Sequence, residues 1–428
     1  MAATDQHTQQ LSATQLLGCV FLPFGIGYLI SDLLRTVNAV IAGRLSVELD
    51  VSAGELGFLS SLFFLAFALC QLPVGMLLDR FGPRRVESLL LLVAAAGCLL
   101  FASARGLTGA AIGRTLIGIG ASACLMAGFK AFALWFPAHR LATLNGYLMA
   151  FGALGGVAAT RPVEAFLQLS SWRALFVLVA IGTVAAALLL WVRVPERTAS
   201  TVPVPFRAQL QELAAIFRDR RFLAAAPTTF LTLGLAMAIL GLWAGPWLRD
   251  VAHFSTTEVA QTLLWMTLSY VASLAGWATL AGRLAARGVT PLRLAMLATL
   301  LLCIGTALFA LAPVRFAGLL WPLYALAAGG TPLLYAGVTS TFPAALTGRV
   351  NAALNLLAFA GAFILQWLIG EVVGWWPTGD YGYAPRGYQL AFGVLAGIQL
   401  LALLWLAFGW PVTARHGEIG RAVCPAAE

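Results

Sequence analysis

Tyr28, Asp32, Arg35 and Asn38 stand four, three and three residues apart, the spacing that brings side chains onto one face of an α-helix. The residues around them, from Leu16 to Gly43, are predominantly apolar. A charge at the centre of an apolar span costs about 2.5–3.5 kcal/mol even on a lenient insertion scale, so a charge retained there points to function. Asp32 and Arg35 can pair, which lowers the cost of burying both. A proton on Asp32 or an anionic group at Arg35 would open the pair. The alternative is a permanent structural ion pair, which would not need Tyr28 and Asn38 beside it.

The elements that must position these residues follow from composition. The chain has 428 residues, 61% hydrophobic and 10% charged, against ~25% charged in soluble domains. It reads as an all-α integral membrane protein. At ~20–25 residues per span the length accommodates about a dozen helices and no separate soluble domain. Apolar runs place six spans near Leu16 to Gly43, Leu56 to Leu78, Val86 to Ala104, Thr108 to Trp135, Leu141 to Leu167 and Trp172 to Val192. Six more lie near Phe222 to Leu248, Val259 to Leu284, Thr290 to Ala312, Phe316 to Thr341, Leu346 to Gly374 and Tyr388 to Trp410. Residues 1–192 thus form an N-terminal six-helix bundle, 193–221 a central loop, 222–410 a C-terminal six-helix bundle and 411–428 a tail. Within the loop, Phe206 to Phe217 has the pattern of a short amphipathic helix on the membrane surface. Met1 to Thr14 is polar and lacks Lys and Arg, unlike a cleaved signal peptide. The six cysteines, Cys424 among them, form no CxxC pair and read as small packing residues.

The net charge of +9 is a topology signal rather than a mark of nucleic-acid binding. With the N-terminus inside, sixteen arginines fall on the cytoplasmic side, among them Arg80, Arg84, Arg85 and Arg140, and six on the other. The positive-inside rule then puts both termini in the cytoplasm. The halves also repeat. Phe136-Pro137-Ala138, Asn145, Leu148 and Gly155 recur at an offset of 206 as Phe342-Pro343-Ala344, Asn351, Leu354 and Gly361. Repeats of this kind place a substrate path between the halves near the membrane midplane.

Gly75, Asp79, Arg80, Gly82, Arg84 and Arg85 lie between the second and third spans. They match the Gly-x-x-x-Asp-Arg/Lys-x-Gly-x-Arg/Lys-Arg/Lys signature of the major facilitator superfamily, which the chain resembles over essentially its whole length. Arg114, Gly118 and Gly120 are similar to a second signature on the fourth helix. The resemblance implies twelve transmembrane helices in two pseudo-symmetric bundles, working by alternating access. It also implies that Asp79 latches the cytoplasmic side shut when the carrier faces outward. Physically, Asp79 ends its span where the eleventh span presents a helix N-terminus, and a carboxylate there gains roughly 0.3–1 kcal/mol. The counterpart of Arg80 is Arg283, but opposite Asp79 stands Gly282, so the latch is expected from the N-terminal copy.

Other candidates for substrate or proton binding are Arg114, in a polar network with the first helix that could couple protons; Lys130, either snorkelling to water or binding an anion; and Arg161, either pairing with Glu164 at the rim or contacting substrate. The C-terminal half offers Tyr335 and Asn355 among uncharged hydrogen-bonding groups, and Gly241 to Pro246 is expected to break the seventh span as a gate. Drug and proton antiporters of the family carry a Gly-Pro step in the fifth helix. Here Gly146, Gly152, Gly155 and Gly156 lack it. The expected function is proton-coupled uptake of a small, polar, anionic organic metabolite by a monomer in the plasma membrane, a bacterial inner membrane. It needs no cofactor beyond a proton gradient. The alternatives are proton-coupled efflux of drugs or metabolites and a non-transporting sensor or assembly factor. Isolated methionines and histidines outside the spans argue against metal transport, and no His-Glu-x-x-His or aspartate pair suggests an enzyme.

Overall fold

The computed structural model describes residues 13–196, 206–311, 314–343, 346–378 and 382–414. Residues 197–205 of the central loop, 415–428 of the tail, Ala344 of the repeat and Cys424 lie outside the described residues. In chain order the helices are α1 (Leu17–Thr36), α2 (Asn38–Leu49), α3 (Ala53–Phe81), α4 (Pro83–Ser103), α5 (Leu107–Trp135), α6 (Ala138–Ala158), α7 (Arg161–Leu169), α8 (Trp172–Arg193) and α9 (Phe206–Arg218). They continue as α10 (Arg220–Asp250), α11 (Thr256–Ala285), α12 (Pro291–Ala310), α13 (Val314–Thr339), α14 (Thr347–Val373) and α15 (Pro385–Gly409). Among the described residues eleven helices are long and apolar enough to cross a bilayer, one fewer than the expected twelve. α6, with 21 residues, stands at the remaining place.

The repeat is visible in how helices begin and cross. A helix start leaves backbone N–H groups without partners. Both α3 and α11 satisfy theirs with a capping box, Ser52 with Glu55 and Ser255 with Glu258. Gly155 of α6 lies against the Leu29 carbonyl of α1, and its counterpart Gly361 of α14 against the Phe230 carbonyl of α10. Leu148 and Leu354 are both fully buried. In lipid, helices associate by close backbone approach at small residues, and Gly234 and Gly361 make such a crossing. A β-carbon on Gly234 would lie 2.7 Å from the Gly361 Cα and 2.8 Å from the Ala362 nitrogen. Gly234→Leu is therefore expected to cost about 1–3 kcal/mol or more through overpacking, read as a lower thermal midpoint. Gly276→Ala, with open space at that position, should leave the midpoint unchanged.

One expectation changes and another gains detail. α9 forms as expected and docks on the C-terminal helices. Ile216 is buried, Phe217 packs edge-on to Phe222 with centroids 4.9 Å apart, and Glu212 pairs with Arg349 of α14 at 2.6 Å. The seventh span is not broken at Gly241 to Pro246. A π-helical turn at Ile239–Trp243 precedes Pro246, whose missing N–H a widened turn accommodates, and α10 stays continuous.

The two halves meet along α3 and α14, along α1–α2 with α10, and along α6–α7 with α11. The end of the molecule carrying Arg80, Arg84 and Arg85 is called the basic face, the other the far face. At the far face Gly370 abuts the Ala53 carbonyl, Gly245 abuts the Ala39 carbonyl, and Gln168 donates to Thr257 at 3.5 Å. At mid-depth Phe67 stacks on Phe359 with centroids 4.4 Å apart. At the basic face, among the described residues, the ion pairs are Lys130 with Asp79, Arg85 with Glu196, Arg221 with Asp219 and Arg349 with Glu212, and none joins residues 1–192 directly to residues 222–410.

Candidate functional site

Asp32 and Arg35 form an ion pair on α1, as their i, i+3 spacing allows. The Asp32 side chain is 8% exposed and that of Arg35 30%, so the cation reaches open space while the anion is held inside. Space for the pair comes from α6. A β-carbon on Gly156 would stand 3.0 Å from Asp32 Oδ2 and 3.4 Å from the Thr267 methyl of α11, and Gly152 packs on the Tyr28 ring. The glycines of the fifth span thus let α1 approach, a steric role that spacing within α6 alone does not reveal.

Tyr28 of α1, one turn before Asp32, and Tyr270 of α11, one turn beyond the Thr267 that borders Gly156, lie in the surroundings of Arg35. Tyr270 therefore joins the site from the other half. Tyr335 donates to Asn355 Oδ1 at 3.1 Å, and Asn355 Nδ2 donates to Gln71 Oε1 of α3 at 3.4 Å. This chain crosses from one half to the other. Gln71 was not singled out in the sequence; a lone amide in an apolar span was the signal available.

Several predicted residues are placed elsewhere. Asn38 does not join the stripe: the helix is interrupted at Val37, Asn38 begins α2, and its amide donates to Ser60 of α3 at 2.9 Å while 1% exposed. Arg161 does not pair with Glu164. Arg161 is exposed, and Glu164 instead accepts two hydrogen bonds from Arg44, at 2.9 and 3.2 Å. The break at Thr160 sets α7 off from α6 and turns Glu164 towards α2. Lys130 is paired with Asp79 of α3. Asp79 is correspondingly engaged within its own half here.

The remaining signature residues also hold to the N-terminal half. Gly82 has φ 80°, a left-handed conformation that favours glycine, and Pro83 then opens α4. Arg80 lies over Phe81 at 5.1 Å and Arg84 over Trp191 of α8 at 5.3 Å, while Gly75 has open space around it. Arg114 is 1% exposed, donates to the Leu34 carbonyl at 3.0 Å and sits 5.4 Å from the Phe63 ring centre. It ties α5 to the turn of α1 just above the ion pair. Replacing Lys130 with alanine is expected to leave Asp79 free to reach α14, so cysteines at the two basic-face ends should cross-link faster than in the parent; an unchanged rate would show that the pair does not hold Asp79 back.

Two repeated helical sets with an ion pair and a hydrogen-bonded chain at their interface define a membrane transporter of the secondary type. The chain belongs to the Major Facilitator Superfamily, whose sequence pattern matches residues 24–366. It is 25% identical over 321 residues, 70% of this chain and 72% of the relative, to the probable sulfoacetate transporter SauU of Cupriavidus necator. It is 30% identical to the probable L-galactonate transporter of Escherichia coli over 179 residues, 41% of this chain and 38% of that one. The fold matches a bacterial homologue of the human lysosomal transporter Spinster, solved in an inward-facing, unoccupied conformation, with TM-score 0.71, 17% identity and coverage of 95% of this chain and 98% of the other.

Proposed function

We propose that this transporter takes up a small organic anion together with protons, working as a monomer in a bacterial inner membrane with both termini cytoplasmic. The observation that carries the reading is the Asp32–Arg35 pair, with a partly buried guanidinium, 30% exposed, at the junction of the two halves. An arriving carboxylate or sulfonate competes with Asp32 for Arg35. A proton on Asp32 neutralises the acid that the anion displaces. Tyr28 and Tyr270 lie in the surroundings of Arg35, and the chain Tyr335, Asn355 and Gln71 offers further hydrogen-bonding groups. The sulfoacetate and L-galactonate named for the relatives are organic anions, which supports the sign of the substrate.

The excess of arginine at the basic face supports its assignment to the cytoplasm. The close approaches of the halves at the far face, Gly370 on Ala53 and Gly245 on Ala39, favour an inward-facing reading. In that state Asp79 and Lys130 hold each other, and the latch closes only when Asp79 exchanges Lys130 for the start of α14. A thermal-shift comparison of sulfoacetate, L-galactonate, neutral sugars and lipophilic cations tests the substrate class, because a ligand that binds only the folded state raises its stability. Organic anions should stabilise the protein, and Arg35→Ala should lose the shift. Stabilisation by lipophilic cations alone would overturn uptake of anions in favour of efflux.

A further inference from the structure

Four carboxylates are buried among the described residues: Asp32, Glu87, Glu164 and Asp219. Three have a guanidinium partner, Arg35, Arg44 and Arg221 respectively. Glu87, on α4, is 0% exposed, and among the described residues its oxygens meet no donor stronger than the weak Cys124 thiol. Its carboxyl group fills the space that a β-carbon on Gly27 of α1 would occupy. Facing it from α5 is the Cys124 thiol, and no other ionisable group acts on it. From α1 comes Ser31, whose hydroxyl donates to the Ala121 carbonyl at 3.4 Å. Arg84, one turn earlier on α4, is turned away to the Trp191 ring of α8 at 5.3 Å.

An ionised carboxylate with no cation and at most a weak donor is far more costly to bury than a neutral acid. A group in this setting therefore carries its proton, and losing it forces the side chain to find water or a partner. Water is near, since Glu87 is the fifth residue of α4, roughly 6 Å along the axis from the start of that helix at the basic face. Reaching it requires the carboxyl to leave its seat against Gly27.

We propose that Glu87 is a proton-binding site separate from the Asp32–Arg35 pair, that its neutral form seats α1 against α4 and α5, and that release of the proton towards the basic face unseats α1. The proton passes to water and no other bond changes. This goes beyond the uptake reading and stands whether or not Asp32 titrates. The two can be separated without any substrate.

Infrared spectra of the full chain in lipid nanodiscs at neutral pH test it. A carboxylic-acid C=O band is expected in the parent, lost in Glu87→Gln and retained in Asp32→Asn. A band that survives Glu87→Gln overturns the proposal, whereas a change confined to Asp32→Asn would bear on the ion pair instead. Hydrogen exchange at one alkaline pH reads the movement: peptides of α1 should exchange faster in the parent than in Glu87→Gln, and equal rates overturn the coupling to α1. Should Glu87→Gln fail to fold, Glu87→Asp serves the same end, because it should shift the band; a band that does not move assigns the proton elsewhere.

Discussion

Arg35→Ala is expected to reduce the initial rate of organic-anion uptake into proteoliposomes to background while the protein still inserts and elutes as a single species. Two losses combine. The anion loses a charge-assisted hydrogen bond, which is stronger than a neutral one, and Asp32 is left at 8% exposure without its cation. Removing one member of a buried pair costs about 3–5 kcal/mol, corresponding to roughly two to four orders of magnitude in an equilibrium constant. Arg35→Lys keeps the charge but not the planar fork that matches a carboxylate or sulfonate, so it should recover part of the rate with weaker apparent affinity. Uptake kinetics in Arg35→Ala indistinguishable from the parent would remove Arg35 from the substrate site.

Asp32→Asn separates binding from coupling. The substitution is nearly isosteric, which matters because a Gly156 β-carbon would come within 3.0 Å of Asp32 Oδ2 and leaves no room for a larger group. Without a titratable acid opposite Arg35, an imposed proton gradient should no longer drive accumulation, while exchange of internal for external anion continues. Arg35, released from its ionic partner, should also bind the anion at least as tightly. Gradient-driven accumulation that persists in Asp32→Asn would place the coupling proton elsewhere.

How far these residues were legible depends on the physics that positions each. A one-helix pattern is read from spacing, and Asp32 and Arg35 pair on α1 because i and i+3 are neighbours in any α-helix. The same logic fails for Asn38, since a single turn at Val37 changes the phase and hands the amide to Ser60. It fails for Arg161 as well, because Glu164 finds Arg44 on a helix more than a hundred residues away in sequence. Lys130 and Asp79 likewise meet across α3 and α5, a contact set by how the helices tilt and pack. Glu87, a charge four residues into an apolar helix, resembles a rim residue in the sequence and is a fully buried acid in the fold.

The sequence by itself determined the membrane environment, the succession of apolar spans, the internal repeat, the family through Gly75 to Arg85, and the facing of Asp32 and Arg35. Hydropathy, local periodicity and the left-handed turn at Gly82 are properties of short stretches of chain. The tertiary structure alone decided which acid meets which base, which glycines admit α1, how Tyr270, Gln71 and Asn355 complete the junction from both halves, and that Glu87 has no counter-charge. Those outcomes depend on the packing of helices distant in sequence, where small residues set the approach and each buried charge takes the partner that the approach brings within reach.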